Sequence, residues 1–189
     1  MTDHLSPTEL ERDARAVLDS IGNRNLSVKE RLAIPMQAMP VQDPSERIGN
    51  MDEVALGYSD AQVRVESMRC LQCATAPCVK GCPVSIDIPR FIAKAAEGDY
   101  AASVAVIKES SMLPAICGRV CPQESQCQLT CTVGKSLKDI DKAVNIGRIE
   151  RYVADWESRN HVRKNPAVAP PSGKKVAVVG SGPASMTAA

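Results

Sequence analysis

The chain has 189 residues, 44% hydrophobic and 24% charged, with 23 Lys and Arg against 22 Asp and Glu for a net charge of +1. That balance is ordinary for a globular protein and offers no basic face to nucleic acid or to an anionic membrane. No apolar run reaches the roughly 20 residues that cross a bilayer, so a reducing, cytoplasmic location is the default expectation.

Only 3% of residues are aromatic, with a single Trp and a single Phe, so the core must be aliphatic. The seven methionines are expected to fill its gaps.

The first element starts at Ser6-Pro7-Thr8-Glu9, a capping box with Pro at the first helical position, and predicts a helix to about Ser20. It is charged on most faces, so a solvated terminal helix is expected. Ser27-Val28-Lys29-Glu30 repeats the signal for a shorter helix that stops before Pro35. Residues 34–58 lack periodicity, and Pro35, Pro40 and Pro44 favour an extended wrap. Ser59-Asp60-Ala61-Gln62 caps a helix carrying Val63, Val65 and Met68 and delivering Cys70 at its end.

All eight cysteines then fall in two windows. The first reads Cys70-x2-Cys73-x4-Cys78-x3-Cys82-Pro83, and the second Cys117-x3-Cys121-Pro122-x5-Cys127-x3-Cys131. Scattered core residues do not cluster in this way. Disulfides would suit a secreted domain, but the chain opens without a charged-then-apolar signal segment. Structural zinc uses Cys-x2-Cys pairs, yet His4 and His161 lie far from the run and spell no mixed site. Iron–sulfur ligation fits best, because a Cys-Pro closes ferredoxin motifs and its cysteine ligates the other cluster of a pair.

Between the windows, Asp87 caps a helix through Phe91, Ile92 and Ala95 that Gly98 closes, and Asp99 caps the next, with Val104 and Ile107 on one face. An antiparallel pair is expected, ended by Pro114. Asp141 opens a helix to about Trp156 with Ile146, Ile149, Val153 and Trp156 as its apolar stripe. Glu150 borders that stripe, where a carboxylate needs a partner. It either pairs with Arg148 or Arg151, or completes a metal site. No segment alternates as a strand up to this point, so the portion reads as all-α. No nucleophile–base or acid–base pair suggests catalysis.

From Asn160 the chain becomes basic and proline-rich, with Arg163, Lys164, Pro166, Pro170 and Pro171, which predicts a linker over 160–173. Lys174–Val179 then reads as a strand running into Gly180-Ser181-Gly182-Pro183-Ala184-Ser185. That turn has the form of a dinucleotide-binding βα turn, with Gly180, Gly182 and Ser185 at the phosphate positions and Ser185 replacing the third glycine. With only residues 174–189, it is expected to be the truncated first strand and glycine turn of an FAD-binding domain.

Together these motifs resemble one family. They include Met39-Pro40-x2-Asp43-Pro44-x2-Arg47, Val54-Ala55-Leu56-Gly57-Tyr58 and Arg69-Cys70-Leu71-Gln72-Cys73. They continue with Cys78-Val79-Lys80-Gly81-Cys82-Pro83-Val84, Ile116-Cys117-Gly118-Arg119-Val120-Cys121-Pro122 and Asn145-Ile146-Gly147-Arg148-Ile149-Glu150. The stretch from Ile34 to Ala189 is similar to the N-terminal portion of the NADPH-dependent glutamate synthase small subunit. The same module occurs in the ferredoxin–NADP oxidoreductase large subunit, the sulfide dehydrogenase flavoprotein and the dihydropyrimidine dehydrogenase N-terminus.

The resemblance implies an α-helical ferredoxin fold over residues 34–159 holding two [4Fe-4S] clusters, with 1–33 as a helical extension. It implies crossed ligation: Cys70, Cys73, Cys78 and Cys131 at one cluster, and Cys82, Cys121, Cys127 and Glu150 at the other, with Cys117 a non-ligand. Four local cysteines per cluster satisfy the count equally, but crossing accounts for the Cys-Pro positions. The implied role is electron transfer between an NADPH-reduced FAD and a flavin-containing partner subunit, with this chain alone silent toward NADPH. A bifurcating or sulfide dehydrogenase flavoprotein, and a structural zinc or interaction module, are the alternatives.

Overall fold

The computed structural model describes residues 5–162 and 168–189. His4 and the linker residues Arg163, Lys164 and Pro166 lie outside them. The helices in chain order are α1 (Pro7–Ile21), α2 (Val28–Ala33), α3 (Pro44–Arg47), α4 (Asp60–Met68), α5 (Pro77–Lys80), α6 (Ile88–Glu97), α7 (Tyr100–Lys108), α8 (Pro114–Val120), α9 (Thr132–Ser136), α10 (Ile146–Arg159) and α11 (Pro183–Ala188). Among the described residues the only β pairing is one antiparallel bridge, Val41 with Ala55. The architecture is all-α.

Capping chemistry sets most starts. Ser6 with Glu9, Ser27 with Glu30 and Ser59 with Gln62 form capping boxes, and Asp87 and Asp99 accept from the third backbone N–H of α6 and α7. Gly98 closes α6 at φ 81° and leads directly into α7, giving the expected pair. The core joins α4, α6, α7 and α10 through Val63, Phe91, Ile92, Ile107, Ile149 and Val153, each at most 1% exposed. Burying side chains of this size contributes about 1.5–3 kcal/mol each.

Five expectations need correction. Helix α1 is not simply solvated: Ala14 and Ile21, with Val17 and Leu18, pack on Ala61 and Val65 of α4 in a second apolar cluster. Its apolar residues recur at helical spacing beneath a charged surface, so charge count alone concealed the face. The wrap of 34–58 contains one helical turn, α3, because Asp43 accepts from Ser45 N–H and Pro44 fills the first helical position. Pro114 does not merely end a helix; it starts α8, where its missing N–H costs nothing. The last core helix starts at Ile146 and not near Asp141, whose backbone N–H is taken by the Asp139 side chain in a short 3-10 turn. Finally, Met36, Met51, Met112 and Met186 are exposed, so methionine does not carry the core.

Residues 174–179 form no strand, and Val176 and Val179 are 85% and 93% exposed. A strand needs a neighbouring strand for its backbone N–H and C=O groups, and among the described residues none lies beside this segment. After it, Gly180 has φ 121°, and the Ser185 hydroxyl donates to Val179 C=O at 3.4 Å. A Cβ at Gly180 would stand 2.8 Å from the Ser185 Oγ.

Candidate metal centre

The cysteines divide in space differently from their division in sequence. Cys70, Cys73 and Cys78 of the first window line one recess with Cys131 of the second. Cys70 follows the end of α4, Cys78 lies in α5, and Cys131 is the N-cap of α9. The Cys73 thiol donates to Thr132 Oγ1 at 3.3 Å. Ile88, Ile92, Val133 and Val144 make the walls apolar.

Turning the chain back on itself within one short window requires unusual backbone. Gln72 (φ 51°), Ala76 (φ 39°) and Ser85 (φ 55°) all lie in left-handed conformation without being glycine. Each such residue costs of order 1–3 kcal/mol and persists where the surroundings demand it.

The second recess gathers Cys82 with Cys117, Cys121 and Cys127, and adds Glu150. Cys117 and Cys121 sit one turn apart at the end of α8, and Glu150 projects from α10, which packs against it. That packing is close because of Gly118: a Cβ there would come within 2.6 Å of the Arg151 backbone N. The two recesses share Ile88 and Ile146 in their walls, so they are neighbours separated by aliphatic side chains.

Glu150 is 5% exposed, and its Oε1 has no hydrogen-bond partner. The two arginines that could have neutralised it are turned elsewhere. Arg151 donates to Ala55 C=O and pairs with Glu53, and Arg148 reaches Gln37 C=O. Burial therefore pushes the carboxyl up to about 8. The same cause raises Cys70 and Cys121 to about 11 and Cys78 and Cys127 to about 12. Desolvated thiols and a buried carboxyl need positive charge to ionise, which iron bound by them would supply.

All eight thiols are free. Among the described residues, no three His, Cys, Asp or Glu side chains converge as a single ion requires. A zinc tetrahedron draws its sulfurs to about 2.3 Å from one point, whereas a cubane takes one thiolate per iron and holds the sulfurs apart. Soft donors spread around two apolar recesses fit the second geometry.

His161 is exposed. Residue spacing did not reveal a buried polar knot beside the first recess. Glu66 accepts from Gln37 N–H, Asn145 N–H and Arg69, and Arg69 also donates to Ala143 and Lys142 C=O. It pins α4 to the 142–145 turn immediately before Cys70. The adjacency of Arg69 to Cys70 was its only sequence signal.

No helix among the described residues is long and apolar enough to cross a membrane. A family described as dihydropyrimidine dehydrogenase domain II, 4Fe-4S cluster, matches residues 47–162. The protein UacF of Escherichia coli K12 is 39% identical over 143 residues, 75% of this chain and 22% of the relative. The small chain of NADPH glutamate synthase from the same organism is 36% identical over 137 residues, covering 72% and 28%. A PreT homologue of Salmonella typhi, named as a subunit of NAD-dependent dihydropyrimidine dehydrogenase, is 34% identical over 141 residues, covering 73% and 32%. The chain thus spans between 22% and 32% of these relatives' own lengths. It belongs to the dihydropyrimidine dehydrogenase domain II family, as an all-α iron–sulfur domain of the electron-transferring kind.

Proposed function

We propose that residues 34–159 hold two [4Fe-4S] clusters in crossed ligation and relay electrons between an NADPH-reduced FAD and a partner redox subunit. Cys70, Cys73, Cys78 and Cys131 hold the first cluster, and Cys82, Cys121, Cys127 and Glu150 hold the second. Cys117 is a bystander. The observation that supports this division is the pairing of Cys131 with the first window in one recess and of Cys82 with the second window in the other.

The clusters, when bound, supply one-electron carriage. The chain's residues do the rest. Burial holds four thiols far above neutral pH and the Glu150 carboxyl up to about 8 in their free form, so ligation releases protons and makes assembly favour alkaline conditions. The aliphatic wall of Ile88 and Ile146, 2% and 3% exposed, keeps water from between the sites. Burial of Cys70, Cys127 and Cys131 is among the features that set cluster potentials. A carboxylate at the second cluster makes its donor set harder than the first.

Residues 174–189 belong, in this reading, to the first strand and phosphate turn of an FAD-binding domain, joined by a linker at 160–173. Gly180, Gly182 and Ser185 occupy the phosphate positions, and the strand orders once parallel neighbours pair its backbone. The comparably similar PreT homologue favours a second reading, in which NADH is the donor and the partner is a dihydropyrimidine dehydrogenase subunit. The ligand map is tested by anaerobic reconstitution of single alanine variants. Cys70→Ala and Cys131→Ala should abolish the same EPR signal, and Cys82→Ala and Cys127→Ala the other. Loss of one common signal in Cys70→Ala and Cys82→Ala would refute crossing.

A further inference from the structure

Helix α2 lies outside the family match at 47–162, yet its Arg31 touches the backbone of Cys70, which lines the first recess. Arg31 Nη1 donates to Met68 C=O at 2.9 Å and to Cys70 C=O at 3.1 Å. These are acceptors at the C-terminal end of α4, where the helix dipole is negative and its last carbonyls lack helical partners. Arg31 Nε also holds Leu26 C=O at 3.4 Å, and Leu32 packs against the main core, so the side chain is held from both sides. The charge is half-buried and, among the described residues, has no carboxylate in ion-pair range. Arg69, the other cation at this helix end, is neutralised by Glu66 at 2.5 Å.

We infer that Arg31 is a positioning and tuning residue for the first cluster, an uncompensated cation from the N-terminal extension that raises that cluster's reduction potential. The inference rests on the ligand set proposed above. Reduction adds negative charge beside Cys70, which the α4 dipole opposes and the Arg31 guanidinium favours. Neutralising Arg31 therefore shifts the first cluster toward its oxidised form and leaves the second nearly untouched.

The test is an EPR-monitored redox titration of the reconstituted full chain, with Cys70→Ala identifying the first cluster's signal. Arg31→Gln should shift the first cluster's equilibrium about tenfold toward the oxidised state, a potential about 60 mV lower for one electron. The second cluster should move less than about twofold. Arg31→Lys keeps the charge and should stay within about threefold of the parent. An unchanged first potential in Arg31→Gln would overturn the inference, as would equal shifts in the Gln and Lys variants. If Arg31→Gln loses the first cluster's iron, the Lys variant decides. Retention at the parent potential upholds the charge, and loss in both overturns it. If Cys70→Ala removes neither signal, the ligand reading itself has failed, a distinct result that takes this inference with it.

Discussion

Replacing Glu150 by Gln should have opposite effects on the metal-free and the loaded chain. The carboxyl is 5% exposed and unpartnered at Oε1, and burial alone raises it from 4.5 to about 8. Between those values the unfolded chain has lost the proton while the folded chain keeps it. The folded state then binds more protons, so stability falls as pH rises. The contribution is intact below pH 4.5 and gone by about pH 8. At 1.36 kcal/mol per pH unit the interval amounts to about 5 kcal/mol. The amide of Gln does not titrate, so metal-free Glu150→Gln should match the parent near pH 4 and exceed it by up to about 5 kcal/mol near pH 8. Urea unfolding of both reduced, metal-free chains across that range measures the difference. Stability curves that stay parallel from pH 4 to 8 would refute the claim that Glu150 is held desolvated and unpaired. On the loaded side the variant should lose the second cluster, with iron falling from about eight to about four per chain.

Three further outcomes follow from named contacts. Cys117→Ser should leave both EPR signals in place, since Cys117 is the fifth donor in a recess that needs four; loss of a signal would reassign the ligands. Glu66→Ala should cost about 3–5 kcal/mol in urea unfolding, because it strands the Arg69 charge at 1% exposure and frees two backbone N–H groups. A cost under 1 kcal/mol would mean that water reaches the knot. Gly118→Ala should destabilise by about 1–3 kcal/mol or more, since backbone atoms of Arg151, which cannot swing aside, stand 2.6 and 2.7 Å from the added Cβ. Near-parent stability there would place α8 and α10 farther apart than described.

Local chemistry was legible wherever it acts over a few residues. The capping residues Ser6, Ser27, Ser59, Asp87 and Asp99 marked helix starts to within a residue, because a side chain that accepts from its own helix needs no distant partner. The stripe Ile146, Ile149 and Val153 is buried as its spacing required. Contacts between distant segments left no such trace. The apolar side of α1 emerges only against Ala61 and Val65, and Glu66 gains its meaning from Gln37 and Asn145. Lys174–Val179 shows the converse: its strand pattern is clear, but a pattern cannot supply the neighbour that a strand pairs with. Periodicity put Glu150 at the border of an apolar face, yet only the outward turns of Arg148 and Arg151 leave its Oε1 alone.

The most direct test is the metal content of the chain after anaerobic reconstitution with iron and sulfide. The account predicts about eight iron and eight labile sulfide per chain, with two EPR signals on reduction. A folded chain that takes up zinc and no sulfide would contradict it.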